Sequence, residues 1–326
     1  MLLPQSIANS IQARRTLGID CDSEGIVRRW PSFNGCYPPL GYLRWTVLEV
    51  GNGDTYGYYW PVGHEERVPL VCTTEHDVFR VVPIASDLAG CLRLLMETRP
   101  KIANEVKEVA QGCDVPLAIE RPGAATTDRA LSTLDPHSPE LLLVQAREAM
   151  RTGDLTLCER SLLDALDVLP EYGLAIFVLS QLYRRQQRFA DAAQALLDMI
   201  CAPLCFGGGY DMRLKCLRTI QGMPDVLIRS DDVLWHQRSR LTFRIGVREN
   251  DDFLIYEEAI ASYLATGAGV KAIWLRMLVG ELLALETVSF QERYGWTHEK
   301  HRHDLARDLT AAGLSARLPA LGVTDV

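Results

Sequence analysis

The chain has 326 residues, of which 48% are hydrophobic, 23% are charged and 8% are aromatic. A chain of this length predicts about two domains, at roughly 150 residues for each. The longest stretch without a charged residue covers 14 residues, from Trp30 to Leu43, and it contains three prolines. A helix that crosses a membrane needs about 18 or more apolar residues in succession. The composition therefore excludes a membrane protein.

The net charge is −8, because 42 acidic residues outnumber 34 lysines and arginines. Binding to nucleic acid or to an anionic membrane requires a basic surface, so we expect neither partner. A cationic protein partner is favoured weakly. The nine cysteines are an odd number spread thinly along the chain, unlike the dense pattern of a secreted disulfide scaffold. No secretory signal is visible at the N-terminus, and we expect reduced thiols and a cytoplasmic location.

A change in composition between residues 113 and 138 divides the chain. Before it, aromatic, glycine, proline and β-branched residues alternate in short runs, and after it come long stretches rich in leucine and alanine with helical periodicity. The intervening residues are rich in turn formers. We predict an α+β domain over 1–112, a linker over 113–137 and an α-helical domain over 138–326.

The first domain contains four predicted strands followed by a helix. Runs of β-branched and aromatic residues separated by turn residues are typical of an antiparallel meander. These runs are 45–50, 55–60, 68–73 and 78–82. A short helix is predicted over 5–17, and a closing helix begins after Ser86, the expected N-cap. The predicted fold is an antiparallel sheet with flanking helices.

The second domain begins with an internal repeat of 34 residues. At that offset Ala146 aligns with Ser180 and Leu162 with Leu196. The period and the pattern of small and large residues resemble the tetratricopeptide repeat, in which pairs of antiparallel helices stack. Gln187 departs from the pattern, because it stands where the turn glycine is usual. Four further helices, which we predict to be irregular pairs, lie near 232–247, 252–266, 270–287 and 297–313.

Four sequence runs in the first domain together resemble the SUKH superfamily. They are the glycine-rich and aromatic run 51–60, the strand beginning 69–72, the turn 75–77 and the start of the closing helix, 84–93. The resemblance implies an α+β fold of the kind found in bacterial immunity proteins, which neutralise toxins by direct binding.

The aromatic strand and its acidic turns form a candidate partner-binding surface. Alternation along a strand places Tyr56, Tyr58 and Trp60 on one face, and aromatic residues ringed by carboxylates suit a basic partner. The alternative is that the aromatic residues belong to the core and the carboxylates to solvated turns. The candidate residues are Asp54, Tyr56, Tyr58, Trp60, Glu65, Glu66, Glu75 and Asp77.

No sequence pattern predicts catalysis, a cofactor or a metal. His298, His301 and His303 are the most suggestive cluster, yet the three do not share one helix face, and Lys300 and Arg302 add competing positive charge. Cys201 and Cys205 lack a second cysteine pair at matched spacing, so we do not predict a zinc site there.

These observations favour a non-enzymatic immunity protein that neutralises a secreted toxin with a basic surface. The alternative is a scaffold or regulatory adaptor that binds a peptide or protein in the groove of the tetratricopeptide-like domain. A zinc-dependent hydrolase that uses the C-terminal histidines is a third and weaker hypothesis.

Overall fold

A four-stranded antiparallel sheet lies near the start of the part of the chain that the structure describes. The structure is a computed structural model, and it describes residues 48–49, 55–74, 80–112, 115–117, 128–207, 209–227, 232–243 and 251–321. The strands are β1 (Leu48–Glu49), β2 (Thr55–Tyr59), β3 (Leu70–Thr74) and β4 (Val81–Ala85), in that order across the sheet. This confirms the predicted antiparallel sheet of an α+β N-terminal region.

Five helices follow the sheet, and together with it they form the first of two compact units. They are α1 (Leu88–Thr98), α2 (Ala103–Gly112), α3 (Asp128–Leu134), α4 (Pro139–Thr152) and α5 (Leu155–Val168). Helix α1 packs against β3 and β4, and α4 packs against β4. The first unit holds the described residues of 48–74 and 81–170, and the second unit holds Arg80 and the described residues of 171–321.

Hydrogen bonds join the end of the predicted linker and the residue that follows it to β4 and the turn before α1. The buried carboxylate of Asp135 accepts hydrogen bonds from the backbone N–H of Ser86 at 2.7 Å and from its hydroxyl at 2.6 Å. The hydroxyl of Ser138, the N-cap of α4, donates to the carbonyl of Ile84 at 2.7 Å. Ser86 is therefore not the N-cap of α1, and Asp87 has that role, accepting from Gly90 N at 2.6 Å.

The predicted helix pairs are present, but they fall in different units. Helices α4 and α5 belong to the first unit, whereas α6 (Gly173–Arg185) and α7 (Phe189–Cys201) belong to the second. Gly153 ends α4 in the left-handed conformation with φ of 88°. Gln187 has a φ of 59° in the corresponding turn, so it takes the glycine conformation without being a glycine. The division of the chain lies after Pro170, later than the predicted linker over 113–137.

The second unit consists of helices and short 3-10 turns throughout its described residues. After α7 come α8 (Gly209–Gln221), α9 (Val233–Gln237), α10 (Asp252–Ala265), α11 (Gly269–Ala284), α12 (Val288–Tyr294) and α13 (His298–Ala311). Helix α11 is its central element, because every residue from Ala272 to Leu283 is buried. A helix surrounded by protein on all sides has this pattern. Among the described helices, none has the length and apolar composition needed to cross a membrane.

Candidate functional site

The aromatic residues of β2 lie in the core of the first unit. Tyr58 is 1% exposed and Trp60 is 2% exposed, with ring centroids 6.3 Å apart. Tyr56 on the same face is also buried, and so is Tyr59, whose side chain points to the opposite face. A partner has no access to these rings, which corrects the expectation of an exposed aromatic face. The alternation of the strand identified the residues that share a face but not whether that face is covered.

The acidic residues of the predicted surface are only partly described. Glu65 is buried, and its Oε1 accepts a hydrogen bond from Gly63 N at 3.1 Å. Glu66 is exposed and lies 3.9 Å from Nδ1 of His64. Asp54, Glu75 and Asp77 lie outside the described residues. Of the eight candidates, Glu66 is therefore the one that the structure places at the surface.

The three C-terminal histidines do not converge. His298 and His303 are exposed on α13, whereas His301 is buried against α11. Its Nε2 lies so near Gly280 that a Cβ added there would be 2.1 Å away. Burial lowers the pKa of His301 to about 3, so it is neutral. Among the described residues, no group of three histidine, cysteine, aspartate or glutamate side chains could hold a metal ion.

The described cysteines are buried thiols. Burial raises the pKa of Cys201 to about 12 and that of Cys216 to about 11. Because the thiolate is the nucleophile and the metal ligand, neither residue is activated for chemistry. Cys201 is the last residue of α7 and Cys205 lies in the turn between α7 and α8, and both are buried.

A cluster that the sequence analysis missed surrounds Lys271 at the start of α11. Its Nζ lies 3.2 Å from a carboxylate oxygen of Asp198 and 3.2 Å from one of Asp232. The hydroxyl of Tyr263 donates to Asp232 at 2.9 Å. Burial lowers the pKa of Lys271, but the surrounding negative groups, Cys201 when ionised and the two aspartates, raise it more. Lys271 therefore remains cationic, which makes it a link between helices rather than an amine nucleophile.

Two buried ionisable side chains hold the turn between α7 and α8. Glu281 accepts from the backbone N–H of Leu204 at 2.5 Å and of Cys205 at 3.5 Å. Arg213 donates to the carbonyls of Met199 at 2.8 Å and Ile200 at 2.9 Å, and also to that of Ala202. Burial raises the pKa of Glu281 to about 7, against the opposing effects of these hydrogen bonds and of Arg213. Glu281 thus accepts hydrogen bonds from backbone N–H groups of this segment, and Arg213 donates hydrogen bonds to its backbone carbonyls.

Arg276 links helices α10, α11 and α13 through its guanidinium group. The guanidinium of Arg276 donates to both carboxylate oxygens of Glu257, at 2.5 and 2.7 Å, and its Nε donates to Asp308 at 2.6 Å. Bidentate pairs of this kind are among the stronger charged hydrogen bonds. Arg307 donates in turn to Asp308 and Asp304. The hydrogen bonds and ion pairs of these groups all lie within the second unit.

Exposed apolar side chains lie near one end of the α10/α11 hairpin. Leu254 on α10 is 64% exposed, Val288 on α12 is 68% exposed and Leu285 after α11 is 38% exposed. The ring of Phe253 lies 5.5 Å from that of Phe290, which places α12 against the first turn of α10. Exposed glutamates follow two of these residues by four positions. We name the set the hairpin-end surface; it consists of Leu254, Glu258, Leu285, Val288 and Glu292.

Other exposed large apolar residues occur singly on other elements. They are Val68, Leu163, Phe189 and Val226. Isolated exposed apolar residues are ordinary features of soluble proteins. The first helix of the second pair, α6, is buried along most of its length, and only Phe177, Gln181, Arg184 and Arg185 are not. This helix therefore offers little surface for a peptide in a tetratricopeptide-like groove.

Comparisons with known proteins match two parts of the chain. A family model described as the YfbP N-terminal domain matches residues 30–103, and one described as the YfbP C-terminal domain matches residues 245–317. A protein of Escherichia coli (strain K12) with the name "Uncharacterized protein YfbP" is 28% identical over 271 residues, which are 82% of this chain and 86% of the relative. No solved structure matches significantly. The hairpin-end surface lies within the C-terminal match.

Proposed function

We propose that this chain is a non-enzymatic protein-binding protein whose partner docks on the hairpin-end surface. The observation that carries the proposal is the exposure of Leu254, Leu285 and Val288 near one end of a helical hairpin. Covering apolar surface stabilises a complex by roughly 25 cal/mol for each Å² removed from water, before the costs of association. A complex in which a protein partner covers these side chains is therefore stabilised by their burial.

The arrangement of the charged groups supports a binding role over a catalytic one. The groups around Lys271, Arg276 and Glu281 engage one another or the backbone, and each links different helices. A catalytic acid, base or nucleophile must instead present its reactive atom to a substrate. We assign these groups to the stability of the second unit.

An adaptor and an immunity protein both act by capturing a protein. Toxin neutralisation is the special case in which the captured protein is a toxin, and the SUKH-like sequence of the first unit supports it. The burial of the aromatic residues of β2 moves the proposed contact from the first unit to the second. The net charge of −8 favours a basic partner in either case, and the free cysteines of the described part of the chain fit a cytoplasmic location.

Photo-crosslinking in cells tests the proposal. A photoreactive phenylalanine derivative replaces Val288 in one variant and Leu163 in a control, because Leu163 is exposed on α5 in the other unit. We expect one discrete adduct with a different protein from position 288 and none from position 163. That protein, expressed together with the full chain, should co-purify with it, and Leu254→Ser with Val288→Ser should abolish the complex.

Three outcomes would refute the proposal. They are the absence of an adduct at position 288, the same adducts at both positions, and an adduct only with a second copy of this chain. If the captured protein is a toxin, co-expression should also restore growth, and the double serine variant should not.

A further inference from the structure

We infer that the segment docking on the hairpin-end surface is a basic amphipathic helix of the partner protein. This inference rests on the proposed function and adds the chemistry of the partner to it. Its basis is the position of two exposed glutamates relative to the exposed apolar residues, together with the ion pairing of carboxylates elsewhere in the second unit.

Each of the two helices presents an apolar residue and a carboxylate one turn apart. Glu258 follows Leu254 by four residues on α10, and Glu292 follows Val288 by four residues on α12. Residues four apart lie on the same face of a helix, and one turn rises about 5.4 Å. On each of the two helices, an apolar residue and a carboxylate therefore lie on one face, at the spacing at which a partner helix presents its own apolar and charged residues.

The two carboxylates form no ion pair with a lysine or arginine in the described part of the chain. Glu258 accepts a hydrogen bond from Nε2 of Gln237 at 2.6 Å, which orients the carboxylate without neutralising it. By contrast, Glu257, one residue earlier, binds the guanidinium of Arg276 through both oxygens. The negative charge of Glu258 and Glu292 is thus available to a cation from another molecule.

Among the described residues, no neighbouring exposed cation forms an ion pair with Glu258 or Glu292. Asp251 is exposed at the start of α10, and the nearby exposed cation on α12 is Arg293. The guanidinium of Arg293 lies 5.0 Å from the centre of the Phe290 ring, so it is directed toward that ring. Lysine or arginine on the flank of a docking helix would face Glu258 and Glu292 while its leucines cover Leu254 and Val288.

Leu163 on α5 provides a matched contrast. It is also exposed, and Asp167 also follows it by four residues. However, Asp167 lies 3.9 Å from the guanidinium of Arg67, which in addition donates to the Asp167 carbonyl at 2.7 Å. The spacing of residue types is the same, but the carboxylate already has a cation nearby. Variants at 163 and 167 therefore control for the removal of an exposed leucine and an exposed carboxylate.

The test uses synthetic peptides of about 18 residues, which form about five helical turns. One carries leucine on one face and lysine on the other, a second has glutamate in place of lysine, and a third is a scrambled form of the first. Fluorescence anisotropy measures the binding of each labelled peptide to the full chain. We expect the leucine–lysine peptide to bind at least about tenfold more tightly than the other two, and to weaken as salt is raised.

Charge variants locate the binding. Glu258→Lys with Glu292→Lys should weaken binding of the leucine–lysine peptide about tenfold or more, whereas Asp167→Lys should leave it unchanged. If circular dichroism shows that the double lysine variant is unfolded, Glu258→Gln with Glu292→Gln removes the charges with a smaller perturbation and should weaken binding in the same direction.

Equal binding of the acidic or scrambled peptide, or insensitivity to both double variants, would overturn the inference. The proposed function would survive that result if position 288 still forms a discrete adduct with one partner protein in cells. If the adduct is absent, the proposed function itself fails. The two experiments therefore distinguish a wrong partner chemistry from a wrong binding surface.

Discussion

Glu281 should make the stability of the second unit depend on pH near neutrality. This carboxylate is 4% exposed in the centre of the unit, and burial raises its pKa from 4.5 to about 7. Because the pKa in the folded state is higher than in the unfolded chain, the unfolded chain loses the proton first as the pH rises. The stabilising contribution of the protonated form is therefore complete below about pH 4.5 and is lost as the pH rises to about 7.

The size of the effect follows from the two pKa values. Each pKa unit corresponds to about 1.4 kcal/mol, so the full difference is about 3 kcal/mol, most of which is lost between pH 5 and pH 8. Glu281→Gln cannot ionise, yet its amide oxygen can accept the 2.5 Å hydrogen bond from Leu204 N. Relative to the variant, the wild-type protein should thus be about 2–3 kcal/mol less stable at pH 8 than at pH 5.

Urea unfolding followed by tryptophan fluorescence at the two pH values measures this difference. The control is Glu292→Gln, which removes a carboxyl group from the exposed surface of α12. Its free energy of unfolding relative to wild type should change little between pH 5 and pH 8. If the free energies of unfolding of wild type and Glu281→Gln differ by the same amount at both pH values, the buried carboxylate does not titrate between pH 5 and pH 8.

Three further predictions concern buried groups. Arg213→Leu should lower the free energy of unfolding by about 3–5 kcal/mol, because it removes hydrogen bonds to three carbonyls and leaves Glu281 without its cation. Arg213→Lys should recover only part of the lost stability. Urea unfolding of both variants measures the two free energies. Gly90→Ala should destabilise the first unit by about 1–3 kcal/mol in thermal unfolding, because its Cβ would be 2.4 Å from Oδ2 of Asp135; a wild-type melting temperature would contradict this contact. Cys201, which is buried with a raised pKa, should resist alkylation in the native protein and react after unfolding in urea, as peptide mass spectrometry can measure; rapid native labelling would show that the thiol is accessible.

Local sequence patterns predicted β2, β3 and the paired helices α4 to α7, but the helix predicted over 232–247 is present in the described residues only as α9, and α2, α3 and α8 were not predicted. The 34-residue repeat placed α4 to α7, since small residues such as Ala146 and Ala192 recur where paired helices approach each other and are fully buried. The same patterns could not show which surfaces are covered. Tyr56 and Tyr58 alternate as expected, but β2 lies between β1 and β3 and its aromatic side chains are buried on both faces.

The charged groups of the second unit show why the rest could not be predicted. Glu281 binds the backbone of Leu204 across a separation of 77 residues, and Lys271 binds Asp232 across 39. No local spacing relates such partners, because the fold alone brings them together. Similarly, Asp135 in the predicted linker and Ser138 directly after it use their side chains to bind β4 and the residue that follows it. A polar turn residue can form hydrogen bonds either with water or with a distant backbone group.

Ion pairing also separates carboxylates with a structural role from those available to a partner. Asp308 and Glu257 bind Arg276, and removal of either leaves a buried guanidinium with fewer partners. Glu258 and Glu292 are exposed and lack such a cation in the described part of the chain. Their replacement by glutamine should therefore change the free energy of unfolding by less than about 0.5 kcal/mol.

Stability and peptide binding should respond to different carboxylates of the second unit. Glu257→Gln should destabilise the protein in urea unfolding, because it weakens the bidentate pair with Arg276. Glu258→Gln with Glu292→Gln should leave stability unchanged while weakening the leucine–lysine peptide. A large loss of stability in the double variant would show that the two carboxylates serve the fold, and the hairpin-end surface would then lose the charge on which its assignment to a basic partner depends.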